Sequence, residues 1–408
     1  MYNKTFIDSD KIEERTMRDK TAFIYSGDFV KYDFGKLHPL NQVRIPLHYK
    51  LFKEIGGFER SDVFLYEPRI FLYEPRIATD EEIELVHSRR HIERIRRDSL
   101  SGTGYLDTGD TPAFKGMYEA AKMAVGATLK AADLIMEGEV DYAWNPGGGF
   151  HHASREQASG FCIFNDVAVA IQYLIEKFNI SRVLYLDIDA HHADGVQEIF
   201  NSNPQVLKIS FHESGRYIFP GTGFVDDIGD SDAKGYSVNV PLQPYTSNKE
   251  YLYAFREIVP PLVDAFKPEV IVHQCGADAH FLDRLAHLGL TTTAYAEIAA
   301  TMHFLAHKHS KGRYLATGGG GYSINATTRV WTIMVSIVSE TAIPKVAPAA
   351  WREEYQGLTG EKAPETIFDQ YTPTMKVSPS MRRAIFGYTK KVVRKIKDEI
   401  FPLHGIKS

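Results

Sequence analysis

The sequence predicts an α/β fold: one three-layer α/β/α domain around a mostly parallel central sheet. Three observations predict it. Short β-branched and aromatic runs alternate along the chain with helical patterns. Two of those runs, RVLYLDI and EVIVHQC, are almost continuously apolar, as expected of parallel strands covered on both faces. No Pro/Gly/Ser-rich linker divides the 408 residues, so a single domain is expected over 1–408, with its informative core at about 20–340.

Taken in order, strands are expected at residues 22–25, 142–145, 182–188, 206–210, 236–240, 270–274 and 314–317. Helices are expected at 120–136, 167–178, 250–266 and 295–309. A further helix should start at Thr79, because Thr79 and Glu82 have capping-box spacing. Pro260 and Pro261 should break or kink the helix that contains them, since neither can donate a backbone hydrogen bond. The heptapeptide FLYEPRI occurs twice in tandem, at 64–70 and 71–77. Two copies are too few for a solenoid, so the duplication should be absorbed by one strand and its loop. The C-terminal stretch 376–408 carries nine Lys or Arg against two acids. Its Ile385, Val392, Ile396 and Ile400 suggest an amphipathic helix docked on the body, with a basic outer face.

Composition narrows the class of protein. A net charge of -5 gives no global attraction to nucleic acid or to an anionic membrane. Two cysteines, Cys162 and Cys275, cannot build a disulfide framework. The first residues, MYNKTFIDSDKIEER, lack the apolar core of a signal peptide, and no apolar run approaches the roughly 18 residues of a membrane span. A soluble cytoplasmic protein is expected.

Polar and glycine-rich residues collect where strands end, which is where open α/β sheets bind ligands. The strand at 182–188 runs into Asp187-Ile-Asp189-Ala-His191-His192-Ala-Asp194. Alternation places Asp187, Asp189 and His191 on one side if the chain stays extended. Aspartate and histidine both ligate divalent metals, and a catalytic zinc takes three protein ligands. Asp278, just beyond the strand at 270–274, is the candidate third; the competing explanation is a buried ion-pair network. Another strand leads into Gly147-Gly-Gly-Phe-His151-His152. The two rings should point in different directions, each needing its own orienting carboxylate, and Asp187 and Asp194 are at hand. An incidental pair or a second metal site are the alternatives. The run Gly318-Gly-Gly-Gly-Tyr322 lacks the Lys-Ser/Thr of a P-loop, leaving a simple turn, a phosphate cradle or a loop presenting the Tyr322 phenol to the metal.

Together, NPGGGFHHASREQASGFCIFND, YLDIDAHHADGVQEIF, FPGTG, CGAD…DRL and GGGGY resemble, in order and spacing, the histone deacetylases and the bacterial acetoin-utilisation deacetylases. The resemblance covers roughly residues 20–340. It implies the arginase–deacetylase fold and a narrow tunnel leading to Zn2+, or Fe2+, held by Asp189, His191 and Asp278. By the same resemblance His151 and His152 are the paired acid–base histidines, His152 facing the tunnel, with Asp187 and Asp194 as their carboxylates. Tyr322 matches the tyrosine that stabilises the transition state. Gly160, Phe161 and Phe219 would line the tunnel, with Leu285 at its rim and Asp110 binding substrate backbone. Arg44 and Cys162 would line a pocket at its foot. A structural K+ or Na+ would sit at Asp187, Asp189, His191, Ser210 and Phe211.

The implied activity is hydrolysis of the acetamide of an acetylated protein lysine or of a small acetylated amine. Acetylpolyamines and longer acyl-lysines stay open as substrates. The chain departs from the family pattern in four places. Ala193 stands where a glycine is usual, Tyr217-Ile218 lengthens the segment before Phe219, and Asn41 and Asn325 replace basic residues of the eukaryotic class I enzymes. With only Arg284 retained, no inositol-phosphate bridge to a corepressor is expected. Two other classes compete: a two-manganese ureohydrolase, which needs further aspartates beyond Asp283, and an acetyl-lysine reader without catalysis.

Overall fold

The structure is a computed structural model that describes residues 19–59, 70–370 and 377–407. Its strands are β1 Thr21–Ile24, β2 Ile70–Tyr73, β3 Tyr142–Asn145, β4 Val183–Asp187, β5 Val206–Glu213, β6 Ser237–Leu242, β7 Val270–Gln274 and β8 Tyr314–Thr317. They form one sheet in the order β2-β1-β3-β8-β7-β4-β5-β6, and every pairing is parallel. The helices are α1 Arg44–Glu54, α2 Asp80–Glu84, α3 Arg89–Ser101, α4 Met117–Met136, α5 Asp166–Phe178, α6 Asp194–Ile199, α7 Asn248–Phe266, α8 Thr292–Ser310, α9 Ile324–Val338, α10 Ala349–Thr359 and α11 Pro379–Glu399. The expected α/β class therefore holds. No described helix is long and apolar enough to cross a membrane.

All seven expected strands form, three of them with the expected bounds. β5 runs three residues further than expected, through Phe211, His212 and Glu213, which pair in register with Val240, Pro241 and Leu242. Sequence polarity argues for stopping at Ser210, but tertiary partners permit the extension. His212 Nε2 lies 2.8 Å from the Gly223 carbonyl, and Glu213 accepts the His287 amide at 2.7 Å. The eighth strand, β2, comes from the duplicated heptapeptide. The second copy supplies most of it, while the first copy lies outside the described residues except for Ile70.

The capping box at Thr79 and Glu82 is present and starts α2. Pro260 and Pro261 do not break α7, which runs as one helix through both. The carbonyls these prolines leave without a helical donor belong to Arg256, an exposed residue, and Glu257, a half-buried one. The amphipathic C-terminal helix is α11, which buries Ile385, Val392 and Ile396 against α7 and β6. Ion pairs from Lys395 to Asp226 and from Lys397 to Glu257 tie its basic face to the body. Lys376 and Ser408 lie outside the described residues.

The topology decides where chemistry can occur. β3 and β4 flank β8 and β7 in the sheet, so the carboxyl ends of four adjacent strands open onto one place. A buried charge cluster anchors one of the loops there. Asp369 accepts from Arg329 Nη1 at 2.8 Å and His280 Nε2 at 2.9 Å, just beyond Asp278. Burial opposes the Asp369 charge, but His280 and Arg329 outweigh it and hold its pKa well below the usual carboxylate range.

Asp369→Ala leaves the Arg329 guanidinium, 3% exposed, without its counter-ion. It is expected to lower stability by about 3–5 kcal/mol in urea unfolding. Because the folded pKa is depressed, this contribution is complete above the unfolded value of about 3.9 and fades as pH falls below it. The variant's deficit should therefore shrink in acid. A deficit that stays constant down to pH 2 would rule out this assignment.

Candidate active site

The four loops bring together the residues singled out in the sequence. β4 ends at Asp187, and the chain then leaves the extended path, so alternation does not govern Asp189 and His191 as expected. Instead Asp187 turns to His151, 2.7 Å from its Nδ1, and also accepts the Tyr185 hydroxyl and the Asp189 amide. Asp189, His191 and Asp278 converge, with one ligand-type atom from each lying within 4.8 Å of the others. His191 Nδ1 is 3.1 Å from Asp189 Oδ1 and 2.9 Å from Asp278 Oδ2.

The remaining donors to these carboxylates are uncharged. The Ala190 amide reaches Asp278 at 2.6 Å, while the Gly320 amide and the Gln274 side chain reach Asp189 Oδ2 at 2.7 and 2.8 Å. Two fully buried carboxylates and one imidazole thus sum to about two negative charges, which a single divalent cation would neutralise. The electrostatics reflect that deficit. Burial and the adjacent Asp189 push the Asp278 pKa well up. Burial opposes a charge on His191, yet Asp189 and Asp278 raise its pKa well above the ordinary imidazole value. The donor set fits Zn2+ or Fe2+.

Glycine is needed where backbone crosses this cluster. A β-carbon at Gly320 would overlap the Asp278 carboxylate, which explains the third glycine of Gly318–Gly321. At the end of that glycine run the Tyr322 ring stands edge-on to His191 with centroids 6.2 Å apart, and both line the same cleft. Gly160, at φ 53°, sits so close to His152 and Phe219 that a side chain would collide with both rings.

The histidine pair departs from expectation in one respect. Its Nδ1 atoms do go to separate carboxylates, His152 to Asp194 at 2.6 Å. The Nε2 atoms, however, face each other at 3.0 Å rather than pointing apart. One must carry a proton and the other a lone pair. Burial disfavours a charge on His151, but Asp187 and Asp189 more than offset it and hold its pKa at about 9. Burial, reinforced by charged His151, pushes His152 down to about 4. At neutral pH the pair therefore combines an acid, His151, with a base, His152.

A cleft of about 680 Å³ reaches this centre, lined by His152, His191 and Tyr322 at depth and by Gly160, Phe161, Phe219, Leu285 and Asp110 further out. Despite the longer segment before it, Phe219 packs edge-on to His152 with ring centroids 5.0 Å apart. Phe161 stands edge-on to Tyr322 at 5.8 Å. Burial, then Asp278 and Asp189, push the Tyr322 pKa well above 10, so its phenol remains a donor. Burial and Asp107 push Asp110 up to about 6. A smaller cavity of about 20 Å³ continues beneath, lined by Arg44, Cys162, Gly320 and Tyr322 among others. Of the residues expected around a monovalent cation, Ser210 lies in register opposite Asp187, with Phe211 next along β5.

Three further residues hold the site; Gln274 and Asp166 were not singled out from the sequence, and Asp283 was weighed there only for a second metal ion. Gln274 links Asp189 to the Gly149 carbonyl and the Gly276 amide. Asp166 accepts the Gly149 and Phe150 amides ahead of the histidines. Asp283 accepts the Tyr322 amide at 2.7 Å and the Leu285 amide at 2.9 Å. Each also bonds residues far along the chain, Gln274 to Asp189, Asp166 to Gly149 and Asp283 to Tyr322, and no local pattern marks those contacts.

Comparison with known proteins agrees with this arrangement. Residues 38–338 match the histone deacetylase domain family. The chain is 43% identical over 353 residues to the acetoin utilization protein AcuC of Bacillus subtilis (strain 168), covering 83% of this chain and 88% of the relative. It is 38% identical over 355 residues to the AcuC of Staphylococcus xylosus, covering 85% of each. Against the AcuC of Staphylococcus aureus (strain MSSA476), identity is 36% over 372 residues, 88% of this chain and 93% of the relative.

Proposed function

Because this chain belongs to the histone deacetylase family, we propose that it hydrolyses the acetamide of N-acetylated amines, with acetyl-lysine of proteins as the substrate class. The observation that carries this reading is the convergence of Asp189, His191 and Asp278 beneath a narrow cleft that also holds His152 and Tyr322. Asp189, His191 and Asp278 would hold Zn2+, or Fe2+, which when bound supplies Lewis acidity toward the acetyl carbonyl and makes water easier to deprotonate. K+ or Na+ beside Asp187, Asp189, His191, Ser210 and Phe211 would be structural.

The chain's own groups do the rest. Phe161 and Phe219 flank an extended alkyl chain and exclude water from it. Asp110 at the mouth accepts a substrate backbone N–H. His152, neutral and oriented by Asp194, accepts the proton of the attacking water at Nε2. The pair, with His151 oriented by Asp187, then returns that proton to the departing amine, so the histidines end the turnover as they began it. Tyr322 donates its hydroxyl to the developing oxyanion, held in place by the bond from its amide to Asp283. No covalent intermediate is involved.

Leu285 puts an apolar side chain at the rim rather than an acidic one, which suits a peptide-borne lysine better than a cationic polyamine. Asp283 spends its oxygens on backbone amides, which argues against the second ion of a ureohydrolase. The test is acetate release from a panel of acetyl-lysine peptides and acetylpolyamines, with chelator-stripped enzyme as control. Acetate should appear from the peptides, vanish on stripping and return with Zn2+. Tyr322→Phe should retain its metal and lose about 100- to 1000-fold in kcat. Urea release from guanidino substrates, or acetyl-peptide binding without acetate, would replace this reading.

A further inference from the structure

A second group of ligand-type side chains converges far from the cleft. His303 and His307 are one turn apart on α8 and so share a face. Their Nε2 atoms are 2.9 Å apart, and Asp19 Oδ2 lies 2.6 Å from the first and 2.7 Å from the second. Asp19 precedes β1 at the amino edge of the sheet, opposite the edge that carries the catalytic cluster, and is separated from His303 by 284 residues.

Hydrogen bonding accounts poorly for this triangle. The carboxylate oxygen can only accept, so both rings must aim Nε2–H at one atom, with the two nitrogens crowded side by side and no proton between them. A cation seated where the three lone pairs meet removes that conflict. Two imidazoles and one carboxylate at helical i, i+4 spacing plus a remote third position form a ligand set for a borderline transition ion. The side chain of Asp19 is 12% exposed and that of His307 44%, so the site is walled by protein yet open to an entering ion and to water as a further ligand. The surroundings are acidic. Asp141 and Glu340 add negative charge near His307.

We infer that Asp19, His303 and His307 form a second divalent-metal site, for an ion of the Zn2+ class, that ties the segment entering β1 to α8. It is structural and separate from the catalytic cluster.

The test uses tag-free holoenzyme equilibrated with micromolar Zn2+ and analysed for metal content. Wild type should hold about one more zinc per chain than His303→Ala/His307→Ala, whether or not the catalytic cluster is filled. The thermal midpoint should rise with Zn2+ in wild type and much less in the variant. Acetate release by the variant should stay within about twofold of wild type, because none of the substituted residues reaches the cleft. Titrating unsubstituted holoenzyme with Co2+ reads the site without relying on a variant's folding, and visible bands of a low-coordinate nitrogen–oxygen set are expected. Equal zinc content in the two proteins, or no such bands, would overturn the site and leave an ion-paired His–Asp triad.

Discussion

Asp278→Ala is expected to lose the catalytic metal and, with it, essentially all acetate release. A catalytic zinc is held by three protein ligands, and this substitution leaves only Asp189 and His191. The loss compounds, because the other Asp278 oxygen accepts the Ala190 amide at 2.6 Å and so fixes the loop between the two remaining ligands. Removing an outer-sphere partner of a metal ligand typically costs about 10- to 100-fold in affinity or activity, so removing a ligand should exceed that range. Elemental analysis after dialysis is the direct measurement, with urea unfolding to show that the variant is folded. Full occupancy in Asp278→Ala would mean that the third ligand lies elsewhere, and the proposed mechanism would lose its centre.

The second large effect belongs to the histidine pair. His152→Ala should keep its metal, since neither His152 nitrogen bonds to Asp189, His191 or Asp278, and should lose about 100- to 10000-fold in kcat. The ring is the pair's base, with Asp194 fixing Nδ1 and its low pKa keeping Nε2 free of a proton at neutral pH. His151→Ala removes the acid instead and relieves the charge that depresses His152. The two variants should therefore differ in how kcat depends on pH, not only in magnitude. Near-native turnover in His152→Ala, with metal content unchanged, would exclude it as the general base.

How much of this was legible in the sequence follows from the range of the forces involved. Strands buried on both faces carry their signal locally, as runs of Val, Ile and Leu, and all seven read that way formed. Helices were less even. α3 carries few apolar residues among its arginines, although its buried His91, Ile92, Ile95 and Ser99 share one face, and α9, INATTRVWTIMVSIV, is buried almost all round, which blurs a helical stripe. That α7 runs on through two prolines is not legible in the sequence, where proline reads as a helix breaker.

The residue types at the strand ends were determined by the sequence alone. Asp189, His191, Asp278, the histidine pair and Tyr322 were all identified from local motifs, because metal and acid–base chemistry demand side chains that are costly to bury for any other reason. Only the tertiary structure decided how they meet. It turned the two Nε2 atoms toward each other, gave each Nδ1 its own carboxylate, and brought Gln274, Asp166 and Asp283 to the site. It also carried Asp19 across 284 residues to two histidines that the sequence left unremarked. The physical reason is the same throughout: a motif fixes which groups are available along the chain, whereas charge, desolvation and hydrogen-bond direction act over a few ångströms in space, and the order of strands in the sheet sets those distances.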